Sequence, residues 1–379
     1  MHCAIHLPGV SKVVRRDRAA GCTRASAAAL ALAGVLASAV SGAAGSAGPS
    51  TALAQQPAPA PLAVKVLVIN LFRIEAAPWL AALEPTRDIA VPGLSSDYPQ
   101  VRCNDDAVCQ LTTGMGHANA AASVMAVLLS GRFDLRETYF LIAGIAGIDP
   151  ARGTLGSVAW ARYIVDAGIA HEIDARELPR GWSDGYFGIM TDGPREMPKL
   201  EYRTEVYRLD EPLLRQALAL SRGAKLEDAR DLEAYRAHYA ETAARQPPAV
   251  IQCDTLSGDT WWSGRRLGEH ARRWTRLLTA NEGVYCTTQQ EDNALMNALT
   301  RGAQWKLLDV GRVADLRSGA DFDRPYPGQQ ALAALKDQRK LADSVTVAAD
   351  NLVRAGMPLV SAIVTHWQDW RHGVPAAPR

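Results

Sequence analysis

The feature that most restricts this chain is an alternation of short apolar runs with helical stretches. Val64 to Ile69 reads Val-Lys-Val-Leu-Val-Ile and stops at Asn70. A short β-branched run ended by a polar residue is a buried strand. Further strands are predicted as a hairpin over Val101–Thr112, then at Tyr139–Ala143, Ser157–Asp166, Ala249–Cys253 and, last, Lys306–Val310. Helices are predicted at Pro78–Leu83, Ala118–Ser130, 211–222, 226–245, Gly268–Leu278, Glu291–Leu299 and 330–355. Strands that alternate with helices give an α/β fold with a mostly parallel sheet. One domain is expected over 64–379. Residues 171–205, rich in Gly, Pro and aromatics, read as a long loop, with about 171–245 as a cap or insertion.

The N-terminus has the layout of a secretory signal. Arg15, Arg16, Arg18 and Arg24 precede an uncharged run from Ala25 to Val40, and Ala52-Leu53-Ala54 offers a cleavage site. Residues 1–54 are therefore read as signal and 55–63 as a Pro/Ala-rich linker, which places the mature chain in the periplasm or outside the cell. A twin-arginine signal at Arg15-Arg16 and an uncleaved anchor helix stay open. No later segment approaches about 20 uncharged apolar residues, the length of a bilayer span. A set of spans able to form a pore is thus not expected. Formal net charge is +1 with the signs interspersed, so nucleic acid is not expected as a partner. The mature chain keeps Cys103, Cys109, Cys253 and Cys286. An oxidising compartment allows two disulfides in three connectivities, with Cys103–Cys109 favoured across a short turn. No CxxC or paired His accompanies them, so neither a metal nor another cofactor is expected.

In an open α/β sheet, ligands bind beyond the carboxyl ends of the strands. The residues following predicted strands are accordingly the candidates. They are Asn70 and Glu75; Gly114, Gly116 and His117; Gly144; Ser257, Asp259, Trp261 and Trp262; Glu291 and Asn293; and Asp315. They supply carboxylates, glycine turns for close backbone approach and a Trp pair able to stack on a flat ring. Each has a plainer reading as well, in helix packing, turns or core.

The ordered set resembles a known family. Val66-Leu67-Val68-Ile69-Asn70-Leu71-Phe72, Thr113-Gly114-Met115-Gly116-His117-Ala118-Asn119-Ala120 and Leu141 to Pro150 carry the likeness. So do Cys253 to Trp262 and Asp309 to Asp315. Over about 260 residues this resembles the purine nucleoside permeases, which share the nucleoside phosphorylase/hydrolase-like fold. The resemblance implies a three-layer α/β architecture, a purine nucleoside as ligand, a separate membrane transporter as partner and a homo-oligomer. It implies Asp315 as the acid that protonates the departing purine, Glu75 as the base that activates water, and Glu291 as the grip on the ribose hydroxyls. Asn293, Ser257, Asp259 and the Trp pair would hold the nucleoside, although the usual Glu-Met-Glu pattern is missing here. Phosphorylases of this fold carry a cation near the strand that here reads Leu141-Ile142-Ala143-Gly144-Ile145-Ala146. That bare stretch favours hydrolysis, or binding without chemistry, over phosphorolysis.

Overall fold

A computed structural model describes residues 60–338 and 341–376. The predicted export signal over 1–54 and residues 55–59 of the predicted linker lie outside the described residues. Twelve strands form one mixed sheet: β1 (Val66–Asn70), β2 (Arg87–Ala90), β3 (Gln100–Cys103), β4 (Val108–Thr112), β5 (Tyr139–Ile148), β6 (Val158–Trp160), β7 (Tyr163–Asp166), β8 (Val206–Arg208), β9 (Val250–Gln252), β10 (Asp254–Ser257), β11 (Tyr285–Gln289) and β12 (Val313–Phe322). The helices are α1 (Arg73–Leu83), α2 (His117–Leu129), α3 (Glu211–Ser221), α4 (Arg230–Arg236), α5 (Arg265–Leu278), α6 (Asp292–Gln304), α7 (Ala331–Gln338), α8 (Ala342–Thr365) and α9 (Trp367–Trp370).

The main path runs β8-β7-β10-β11-β5-β1-β4-β3-β2. β1 lies parallel between β4 and β5, and β12 lies parallel to β5. The pleat of β1 explains the layering. Leu67 and Ile69 pack with Val124 and Val127 of α2 and Leu295 and Leu299 of α6. Val66 and Val68 turn the other way, onto Trp79 of α1 and Leu352 and Leu359 of α8. A strand apolar on both faces must be covered twice, so the sheet becomes the middle of three layers.

Helix α8 covers β5 and β12 and packs against α1 and α3. It comes close because Gly356 has no side chain: a Cβ there would lie 2.7 Å from the Trp79 ring. Its Asp343–Thr365 stretch is the one helix among the described residues long and apolar enough to cross a membrane. Half of its apolar window is buried inside the fold, and Asp350 and Arg354 interrupt it, as befits a core helix.

Several predicted elements are redrawn. The predicted strand Ser157–Asp166 is two strands that part company, β6 to β9 and β12, and β7 to β8 and β10. Buried Asp254 fixes that break by accepting from the backbone N–H groups of Arg162 and Tyr163. Lys306–Val310 is not a strand: Lys306 takes a left-handed conformation, φ 59, and Val310–Arg312 is a 3-10 turn. The chain enters the sheet only at Val313. β11 escaped notice because its polar Thr287-Thr288-Gln289 end hides the strand pattern. The predicted 226–245 helix shrinks to α4, and the predicted 330–355 helix is the pair α7 and α8. Helix α1 begins at Arg73 and contains Pro78. Within 171–245, β8 extends the sheet and α3 buries Leu213, Leu214 and Ala217.

Cys103 and Cys109 face each other across β3 and β4 and are bridged, with Cα atoms 4.0 Å apart. Cys253 is bridged to Cys286. Trp79 is fully buried between α1 and α8. Trp79→Ala is expected to cost about 3–5 kcal/mol in urea denaturation, since the rigid layers cannot collapse into the space.

Candidate functional site

The site begins where β1 stops. The Asn70 amide donates to the Ala143 carbonyl at 2.7 Å and its oxygen accepts from Gln110, which locks the ends of β1, β4 and β5 together. The chain turns into α1 and brings Glu75 back under that edge. Leu71 N–H and Ile145 N–H each donate to one Glu75 oxygen at 2.7 Å. Burial nevertheless pushes the Glu75 carboxyl up to about 8, against the pull of Arg317 and the two backbone donors.

A second set closes the far side. Gly114 and Gly116 take positive φ, 87 and 88, and form the turn into α2. Gly116 N–H donates to Glu291 Oε1 at 3.0 Å. His117 N–H donates to Asp259 at 2.7 Å, and the His117 ring lies 3.1 Å from the Ser257 hydroxyl. That hydroxyl donates to Asn293 at 2.8 Å, and the Asn293 amide donates to Asp166. The glycine turn, the Ser-Gly-Asp segment and the start of α6 are thus one hydrogen-bonded unit. Glu291 sits at its edge, buried, with a carboxyl raised by burial and held back by Arg317.

A cation does reach the bare Leu141–Ala146 stretch, contrary to the sequence expectation. It is Arg317, delivered by β12, whose register sets it opposite Gly144. Arg317 is fully buried. Its Nε donates to Asp292 at 3.0 Å, its Nη1 to the Ile145 carbonyl at 3.1 Å, and its Nη2 to Asp292 and, at 3.5 Å, to Glu291. Every donating nitrogen is engaged within the protein, so this guanidinium is not set out for a free dianion. No sequence signal pairs β5 with β12, and that is why it was missed.

These elements enclose a cavity of about 290 Å³ with mostly apolar walls. Glu75, Glu291, Trp261 and Trp262 line it, as expected. Phe72, Met115, Gln290 and Asp321 line it as well and were not foreseen. Asn70, Gly114, Gly116, His117, Gly144, Ser257, Asp259 and Asn293 are not on the wall; they build the frame behind it.

Asp315 is placed differently from the sequence expectation. It does not follow the last strand but is the third residue of β12, opposite Ile142 and off the cavity. It is buried beside Asp292, and burial pushes its carboxyl well above the usual range. The shift of the strand from 306–310 to 313–322 moves the strand end to Phe322 and puts Asp321 one residue before it. That carboxyl lies over Gly147, where an added Cβ would come within 2.8 Å of it. Burial, then Asp323, pushes Asp321 up to about 7. A carboxylate closing the small-residue run Ser318-Gly319-Ala320 was the available signal.

A Cβ on Gly144 would lie 2.3 Å from Arg317 Nη1 and 2.5 Å from Leu71 Cδ2. Gly144→Ala is therefore expected to displace the guanidinium and lower stability by about 1–3 kcal/mol in chemical denaturation.

The family profile described as Purine nucleoside permease (NUP) matches residues 63–375. A probable purine nucleoside permease of Schizosaccharomyces pombe is 43% identical over 320 residues, covering 81% of this chain and 90% of the relative. A purine nucleoside permease of Candida albicans is 36% identical over 308 residues, covering 80% of this chain and 75% of the relative. Among solved structures, a putative 5'-methylthioadenosine/S-adenosylhomocysteine nucleosidase of Francisella philomiragia is similar with a TM-score of 0.50 at 14% identity, over 78% of this chain and 98% of that one. That likeness shows the nucleoside phosphorylase/nucleosidase fold.

Proposed function

The chain belongs to the purine nucleoside permease family, and from that premise we propose that it is an exported protein that binds a purine nucleoside in this cavity and cleaves the N-glycosidic bond with water. The observation that carries the reading is the convergence of Glu75, Glu291 and Asp321 on one cavity walled by Trp261 and Trp262. Cleavage of an N-glycosidic bond needs a proton for the departing base and an activated nucleophile. Asp321, raised to about 7, holds a proton near neutrality and takes the role of general acid. Glu75 serves as base for the attacking water, Glu291 holds the ribose hydroxyls, and the Trp pair stacks on the purine. The engaged state of Arg317 supports water over phosphate as the second reactant.

The family's role in uptake fits capture of the nucleoside for a separate membrane transporter. A second reading, binding without chemistry, is favoured by Glu75 itself. Its two oxygens already accept from backbone donors, and a carboxyl raised to about 8 is largely protonated at neutral pH.

The deciding experiment is release of base from inosine, adenosine and guanosine, with and without phosphate. Release without phosphate is expected. Binding without release selects the second reading, and release only with phosphate overturns the assignment of Arg317. Asp321→Asn is expected to lower kcat by about 10²- to 10⁴-fold with little change in nucleoside Kd, whereas Asp315→Asn stays within about tenfold of the parent. The pH profile follows from the two carboxyls. Glu75 must lose its proton, which is favoured as pH rises through about 8. Asp321 must keep its proton, which is lost as pH rises through about 7. The kcat/KM profile is therefore expected to be a bell with its maximum between these values; a profile with one limb removes one of the two from the reaction, and a flat profile removes both.

A further inference from the structure

Opposite the cavity, at the C-terminal ends of α2 and α6, the surface carries two large apolar side chains in the open. Trp305 is 79% exposed and Leu129 is 68% exposed. The two helix ends are adjacent, since a Cβ on Gly302 of α6 would lie 2.8 Å from Leu128 of α2. Single exposed apolar residues are ordinary, but these two share one end of the fold with exposed Arg132 and Lys306. Neither cation has an acidic partner among the described residues. The carboxylates of this end are already paired: Asp134 with Arg136, Asp309 with Arg312 and Glu137 with Arg371. The patch is apolar, aromatic and positively charged.

We propose that this face docks on an anionic membrane surface. An indole ring, apolar in body with one N–H, suits the boundary between headgroups and acyl chains. Unpaired Arg132 and Lys306 complement acidic lipid headgroups, each worth about a fivefold gain in binding near such a surface. Leu62–Ala63 pairs with Phe133–Asp134, and Leu62 N–H donates to the Arg132 carbonyl at 2.8 Å, so the entering chain holds the Arg132 backbone at this patch. The orientation has a consequence for access. Met115 and Glu291, which precede α2 and α6, line the cavity, whereas Leu129 and Trp305 follow at the other ends. The 13 residues of α2 separate the two by about 20 Å. A protein docked through Trp305 and Leu129 keeps its cavity on the side away from the bilayer. This inference is independent of the chemistry proposed for the cavity.

The test is co-sedimentation of the full chain with vesicles of phosphatidylglycerol mixed with phosphatidylcholine, and with phosphatidylcholine alone, at low and high salt. The parent chain is expected to bind the anionic vesicles more tightly, with binding weakened by salt. Arg132→Gln with Lys306→Gln is expected to weaken binding to anionic vesicles by about 30-fold, and Trp305→Ser to weaken it further, with Tm unchanged. Arg132→Lys with Lys306→Arg is expected to retain it. Equal binding by parent and variants overturns the proposal, because any affinity then resides elsewhere in the chain. Absence of parent binding to anionic vesicles overturns it as well. So does loss of self-association by Trp305→Ser in sedimentation velocity with vesicle binding intact, which assigns the face to a second copy.

Discussion

One buried guanidinium holds the centre of this structure together. Arg317 lies among Glu75, Glu291, Asp292 and Asp315 and acts electrostatically on all four. A single positive charge cannot neutralise four carboxylates in a space without water, so protons must do the rest. The distribution follows the contacts. Asp292 takes the closest pairing with Arg317. Asp315, with no partner other than its acidic neighbour, is pushed well above the usual carboxyl range by burial and by Asp292. Glu75 and Glu291 are each raised by burial and lowered by the cation and backbone donors. Removing the cation would leave a cluster of uncompensated acids, a loss of the kind that costs about 3–5 kcal/mol.

That electrostatic centre exists only because the sheet is the middle layer. β5 and β12 run side by side with both faces covered, so Arg317 enters at Gly144 without meeting water. Glu75 rides on α1, Glu291 precedes α6, and Asp321 is the penultimate residue of β12. Three separate segments therefore deliver carboxyls to one cavity, while burial behind its apolar wall raises all three above the usual carboxyl range.

Much of this was legible in the chain. The Val64–Ile69 run, the small-residue helix after Gly116 and the Tyr139 strand each follow from local patterning, because their apolar periodicity is strong. Glu75, Glu291 and the Trp pair were reachable from the rule that ligands sit beyond strand ends. Asp321 was not, because Lys306–Val310, with Leu307, Leu308 and Val310, imitates a strand that the left-handed Lys306 and the 3-10 turn at Val310–Arg312 do not permit. A strand misplaced by a few residues moves the assigned acid from Asp321 to Asp315. Polar β11 and the divided Ser157–Asp166 strand were illegible for a related reason: their partners, not their composition, make them strands.

The sequence by itself determined the layered α/β class and the family, and favoured the hairpin cysteine pair, since each rests on local pattern or on ordered motifs along the chain. Only the tertiary structure decided which carboxyls share the cavity, that the cation near Gly144 comes from β12 and is already engaged, and that His117, Ser257 and Asn293 form a frame rather than a wall. The physical reason is common to all three. Burial and pairing across strands distant in sequence set both position and charge, and neither is written in the order of residues within one element.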